Sequence, residues 1–255
     1  MKKLSLVFGM VLAASMAMAQ ENTSNVGQTG DGNSAIISQV GLQNASTVNQ
    51  TSFGTTGGVT VFASANINQH GEKNLNVVSM QNAFYGFTTV DVDQIGNNNE
   101  VRLQTQNGGG TATILMDGDK NILKGLGSNL FANQKNINVF DLNISGSENT
   151  VGMSQEFGKA DVDVVGSLND IDIRQLAQEP GFNEADLDIL GSENIITVDQ
   201  ANIAGGTGGL GNFAEIDLIT GSDWNTVSVT QRGSGHESYN TITGDSNTIS
   251  VSQHD

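Results

Sequence analysis

Asn194-Ile-Ile-Thr-Val-Asp-Gln200 has close copies at Asn149-Thr-Val-Gly-Met-Ser-Gln155, Asn225-Thr-Val-Ser-Val-Thr-Gln231 and Asn247-Thr-Ile-Ser-Val-Ser-Gln253. Each places Asn, two apolar residues and Gln at alternate positions. Alternate positions of a strand share one face. Asn194, Ile196, Val198 and Gln200 should therefore point inward, and Ile195, Thr197 and Asp199 outward. A second alternating strand precedes each Gly-x-x-Asn turn: Leu142 and Ile144 before Gly146, Val162 and Val164 before Gly166, Leu187 and Ile189 before Gly191. Ile216 and Leu218 fit before Gly221 if that turn carries one extra residue. Two half-buried strands joined by a Gly-containing turn make an arch around a thin core.

The turn recurs at Gly41, Gly71, Gly96, Gly118, Gly146, Gly166, Gly191, Gly221 and Gly244, with Gly30 as an extra turn at the start. Loops after each Gln absorb the differences in spacing, as at 107–110 and 205–209. The repeat resumes on both sides of them, so they are not domain linkers. The expectation is an all-β chain, a β-solenoid of stacked strand–turn–strand arches with a cross-β, amyloid-like core. Residues 20–255 should form about nine coils plus an extra N-terminal strand. One arch cannot fold alone, and stacking gives each strand neighbours on both sides. Stacked amides can also form ladders along the axis. The self-assembly ladder read from the Asn-x5-Gln spacing is Asn33–Gln39, Asn44–Gln50, Asn149–Gln155, Asn169–Gln175, Asn194–Gln200, Asn225–Gln231 and Asn247–Gln253.

Residues 1–19 read as a secretory signal peptide. Lys2 and Lys3 precede an apolar stretch from Leu4 to Ala14, and Ala17-Met18-Ala19 supplies the small–x–small cleavage pattern. The apolar run is too short to span a bilayer. The full chain carries 10 basic and 27 acidic residues. Removing two lysines leaves 8 against 27, a balance of −19. Such a surface repels nucleic acid and anionic membranes. There is no cysteine and one proline. Scarce proline permits uninterrupted strand ladders.

Gln28-x-Gly30-x-x-Asn33-x-Ala35-x3-Gln39 resembles the curlin repeat of curli subunits, the extracellular functional amyloids of bacterial biofilms. The stretch 22–50 carries the fullest match, and the Asn-x5-Gln half extends it through most of the chain. The resemblance implies a secreted subunit that self-assembles into fibres at the cell surface and aids adhesion and aggregation. It also implies a nucleator subunit and an outer-membrane export channel as partners. The chain departs from the pattern where Ile144, Val164, Ile189 and Ile242 replace Gln on the preceding strand, while Gln69 and Gln94 keep it. Unit 118–134 is interrupted by Lys124, Gly125 and Gly127 before Ser128-x5-Gln134.

No catalytic set, cofactor motif or metal motif stands out. His70, His236 and His254 lie at a turn, a loop and the tail, and each is expected to be solvated. Paired acids on the first strands (Asp91/Asp93, Asp161/Asp163, Asp186/Asp188, Glu215/Asp217) and Asp141 read as one outward acidic face. Trp224, in the Gly221 turn, reads as an adhesion point or a cover for one end of the core. Phe53, Phe84, Phe87, Phe157 and Phe213 read as covers for the core edge or as contacts to neighbouring fibres. The competing reading is a monomeric secreted β-solenoid acting as an adhesin or cation-binding surface protein.

Overall fold

The computed structural model describes residues 21–52, 55–56, 59–60, 62–82, 87–106, 110–125, 132–135, 139–156, 158–177, 183–202, 211–219 and 221–255. The leader at 1–19, the loop tips at 107–109 and 205–209, Phe53, Phe84, Phe157 and Ser128 lie outside the described residues.

Every regular element among the described residues is a strand. The strands form two facing parallel sheets and a two-strand hairpin, Thr55–Thr56 with Val59–Thr60. Strands that precede an arch turn make the leading sheet: Ser34–Leu42, Phe62–Glu72, Phe87–Ile95, Gly110–Asp117, Val139–Phe140, Gly158–Ala160, Asn183–Asp186, Phe213–Leu218 and Glu237–Ile242. Strands that follow the turn make the trailing sheet. It runs Thr23–Thr29, Ala45–Ser52, Leu75–Asn82, Glu100–Gln106, Ile122–Gly125, Thr150–Glu156, Asp170–Leu176, Ile195–Ala201, Thr226–Arg232 and Thr248–His254. Sequence order alternates between the sheets, so the chain winds as a β-solenoid.

Pairing is in register, and like positions stack. Ile171, Ile196, Val227 and Ile249 form one inward column, and Ile173, Val198, Val229 and Val251 another. The core is the space between the sheets. In a central coil, Ala185, Leu187 and Ile189 face Ile196 and Val198, and all five are fully buried. Alternation of apolar and polar residues dictates this, because a one-residue slip would turn the apolar set outward.

The damaged unit keeps its place in the stack. The chain follows trailing register from Ile122 to Gly125 and again from Ala132. Gly125 pairs Met153 and Ala132 pairs Leu103, so Gln134 regains alignment with Gln155. Strand Ala132–Lys135 thus completes the layer that Ile122–Gly125 begins.

Turn geometry explains the glycines. A Cβ at Gly71, where φ is 128°, would sit 1.9 Å from the Gly96 carbonyl oxygen. Gly191 faces the Ser222 carbonyl at the same distance. The coil after Gly191 departs from the spacing. Five positions separate Ile189 from Asn194, and seven separate the stacked pair Leu218 and Asn225. That turn is two residues longer, not one, and Ser222 takes the stacking place expected of Gly221.

The residue before each turn asparagine adopts the left-handed conformation. Gln43, Lys73, Asn98, Lys120, Glu148, Leu168, Glu193, Trp224 and Ser246 have φ between 55° and 62°. Side chains other than Gly, Asn and Asp are disfavoured there. Leu168 is 49% exposed, so it recovers little by packing. Leu168→Asn should stabilise the chain by about 0.5–1 kcal/mol, and Leu168→Val should destabilise it by a similar amount. Denaturant midpoints of the two variants moving in the same direction would contradict this backbone assignment.

Candidate self-assembly site

An asparagine stands at the end of each arch turn, three residues past its glycine (or past Ser222). In most coils its side chain reaches the next coil twice. Asn169 Oδ1 accepts the Asn194 backbone N–H at 3.0 Å, and Asn169 Nδ2 donates to the Gly191 carbonyl at 2.9 Å. The backbone contact repeats without a gap through Asn22, Asn44, Asn74, Asn99, Asn121, Asn149, Asn169, Asn194, Asn225 and Asn247. From Asn44 to Asn225 these residues are at most 1% exposed. The structure adds four asparagines to the ladder read from the sequence: Asn22, which does stand six residues before Gln28, and Asn74, Asn99 and Asn121, which lack the Gln. Met80 and Thr105 stand six residues after Asn74 and Asn99, and Gly127 six after Asn121. Gly-x-x-Asn alone would have found all three.

A second column runs beside the first and points the other way. Asn97 Oδ1 accepts the Glu72 N–H at 2.9 Å, and Asp119 Oδ1 accepts the Asn97 N–H at 2.7 Å. Ser147, Ser167, Ser192, Asp223 and Asp245 continue it with side-chain oxygens 2.7–3.1 Å from the preceding coil's N–H. Its signal is Asn, Asp or Ser directly after the turn glycine. Each turn is thus held from both sides, and buried backbone groups find the partners they require.

The glutamines form two ladders, not one. In the leading sheet Gln39 donates to Gln69 at 2.8 Å, and Gln69 to Gln94 at 2.7 Å. Met116 pairs Gln94, and the aligned positions beyond it are apolar as far as Ile242. In the trailing sheet Gln28 donates to Gln50 at 2.7 Å. Met80 and Thr105 then interrupt the column. It resumes as Gln155, Gln175, Gln200, Gln231 and Gln253, with donor–acceptor distances of 2.8–3.1 Å. Gln39 and Asn33 therefore do not align with the trailing Asn–Gln pairs. Asn33 and Gly30 lie in the loop between Thr23–Thr29 and Ser34–Leu42, on the opposite edge from the arch turns. There Asn33 Nδ2 donates to the Thr29 carbonyl at 2.9 Å. The same spacing occurs in both sheets, so spacing alone could not assign the sheet.

The other singled-out residues fall as follows. His236 is mostly covered rather than solvated, with 16% side-chain exposure, and its Nε2 lies 3.2 Å from the Arg232 carbonyl. Trp224 is exposed, and its indole N–H donates to the Glu193 carboxylate of the preceding coil, so it does not cover the core. The Phe213 ring lies 5.2 Å from Tyr239. Among the described residues no cluster of three His, Cys, Asp or Glu is placed to hold a metal ion.

The acids of the leading strands stack on the outer face. Asp186 pairs Glu215, and Asn143 donates to Asp163 across one layer at 2.7 Å. Partial burial, then neighbouring carboxylates, push the Asp141, Asp186 and Asp188 carboxyls above their ordinary range.

The sequence pattern of the curlin associated repeat family matches residues 225–254. That segment holds Asn225, both ladder positions of the last two coils and the turn at Gly244. The chain is therefore an all-β solenoid whose final coil is similar to a curlin associated repeat. Neither curated proteins nor solved structures give a match.

Two outcomes follow. Asn169→Ala leaves the Asn194 N–H and the Gly191 carbonyl buried without these partners and should cost about 2–5 kcal/mol. Thr197→Lys, on the exposed face, should stay within about 0.5 kcal/mol. Equal losses in urea unfolding would refute the column. Secondly, a carboxyl raised in the folded state binds its proton more tightly there than in the unfolded chain. The acidic face should therefore gain stability as pH falls from 7 through the raised range toward the ordinary carboxylate value of about 4, and lose it as pH rises again. Midpoints that fall steadily from pH 7 to 5 would contradict it.

Proposed function

We propose that the chain is a secreted structural subunit that self-assembles into curli-like extracellular fibres of a bacterial biofilm matrix, aiding adhesion and aggregation. The observation that carries this reading is the state of the two terminal strands. Thr23–Thr29 and Thr248–His254 have no strand on their outer sides among the described residues. An open strand edge is a template for another chain. Soluble proteins blunt such edges with charge, proline or bulges. Neither strand contains an acidic residue, a lysine or a proline, although the chain as a whole has a net charge of −17. Most of the acids lie instead in intervening coils, where they keep free chains apart.

The curlin-repeat match at 225–254 supports the same reading, since that repeat belongs to a structural family. On this reading the work is done by the stacking surfaces rather than by catalysis, and no cofactor is required. A nucleator subunit and an outer-membrane export channel are the partners this function calls for. The leader at residues 1–19 would start export.

Incubated mature chain should form unbranched fibres whose diffraction shows a meridional reflection near 4.7–4.8 Å. A solution that stays monodisperse and monomeric for days would favour a monomeric adhesin instead.

A further inference from the structure

The two sheets are unequal. Among the described residues the trailing path has ten strands and the leading path nine. The unmatched strand is Thr23–Thr29, which pairs Ala45–Ser52 over seven residues. Its inward glutamine carries the mark of this vacancy. Gln50, Gln175, Gln200, Gln231 and Gln253 each donate to a backbone carbonyl of the leading strand beside them. Gln28 has its bond to Gln50 and, among the described residues, no leading strand in its layer.

The side-chain bonds also have a direction. In the asparagine column Oδ1 accepts from the following coil, so Asn247 presents a free Oδ1 edge and Asn22 a free backbone N–H. In the trailing glutamine column Nε2 donates to the following Oε1, so Gln253 presents a donor and Gln28 an acceptor. Glu21 adopts the same left-handed conformation as Ser246, so both ends keep the turn geometry of the interior.

Building on the fibre reading, we propose that copies join head to tail with Thr23–Thr29 of one laid in register on Thr248–His254 of another. Thr23 then stacks on Thr248, Asn25 on Ser250, Val26 on Val251 and Gln28 on Gln253. Both amide columns pass through the junction with their direction kept. Each copy adds ten layers to the trailing sheet and nine to the leading sheet. Every junction therefore holds a one-strand slot in the leading sheet, flanked by Glu237–Ile242 and Ser34–Leu42. The alternative is that Thr23–Thr29 peels away and Ala45–Ser52 takes its place on Thr248–His254.

The two arrangements differ in axial repeat. Ten layers give about 47–48 Å per copy, and nine give about 42–43 Å. They also differ in neighbours. Asn25 and Ser250 face outward at opposite ends of one copy and become adjacent only across the proposed junction. Adjacent strand positions lie within disulfide reach, and positions two layers apart, at about 9.5 Å, do not. The chain has no native cysteine to interfere. Fibres of mature Asn25→Cys/Ser250→Cys, grown reduced and then oxidised, should yield covalent multimers after dissolution. Thr47→Cys/Ser250→Cys fibres should dissolve to monomers. Electron cryomicroscopy of unmodified fibres should give the longer repeat. Multimers from the Thr47 pair with the shorter repeat would overturn the junction but leave the fibre reading standing, as would fibres in which neither pair links. Failure of every chain to form fibres would overturn both.

Discussion

The structure depends on a side-chain amide that replaces a backbone partner. At an arch turn some backbone groups bond the neighbouring coil directly, as Glu193 N–H does to the Ser167 carbonyl, but others, such as the Asn194 N–H and the Gly191 carbonyl, take a side chain instead. Leaving such groups buried and unpaired is costly. The turn asparagine resolves this by accepting from the next coil's N–H and, in most coils, donating to its glycine carbonyl. Both contacts need the next turn at one fixed offset. The separation from glycine (or Ser222) to asparagine is accordingly three residues in every arch, whereas successive asparagines are 20–31 residues apart. Variation in coil length falls mainly outside the arch turns, the extended turn before Asn225 excepted; on the opposite edge Asn183 and Asn212 repeat the contact, accepting from the Asn212 and His236 backbone N–H groups at 3.1 Å.

The glutamines play a looser part. Their ladders run inside the sheets, where the backbone is already paired, so an apolar side chain can substitute. Met80 and Thr105 break the trailing ladder, and Met116 followed by aliphatic residues ends the leading one. From the fourth coil onward the leading sheet contributes an apolar wall and the trailing sheet keeps its amide edge. The core thickens in hydrophobic contact where it thins in amides, and the backbone register does not change.

Much of this was legible in the sequence. Period-two alternation assigned the inward face of Asn194, Ile196, Val198 and Gln200 correctly, because only one register buries the apolar set. Gly-x-x-Asn located the arches. What the pattern could not reveal is which sheet a strand joins, since Asn33–Gln39 and Asn44–Gln50 have identical spacing and opposite placement. The left-handed residues were hidden because Leu168 and Trp224 give no compositional hint of that conformation. The extended turn at Gly221 was read one residue short, because its stacking place is filled by Ser222. The return of the chain at Ala132 was obscured by a glycine-rich interruption that looks like damage but lies between two halves of one layer.

The acidic outer face and the neutral terminal strands complete a division of labour along the axis. On the proposed fibre reading, repulsion is concentrated on a face that solvent screens, and attraction is kept for edges that offer directed hydrogen bonds. The claim beneath all of this is that the asparagine column holds the turns closed. Residue-resolved hydrogen exchange measures it directly. The account predicts that the backbone N–H groups of Asn74, Asn99, Asn121, Asn149, Asn169 and Asn194 are as protected as those of Val198 and Ile173 in the strands. Exchange of those turn amides at the rate of open loops would contradict it.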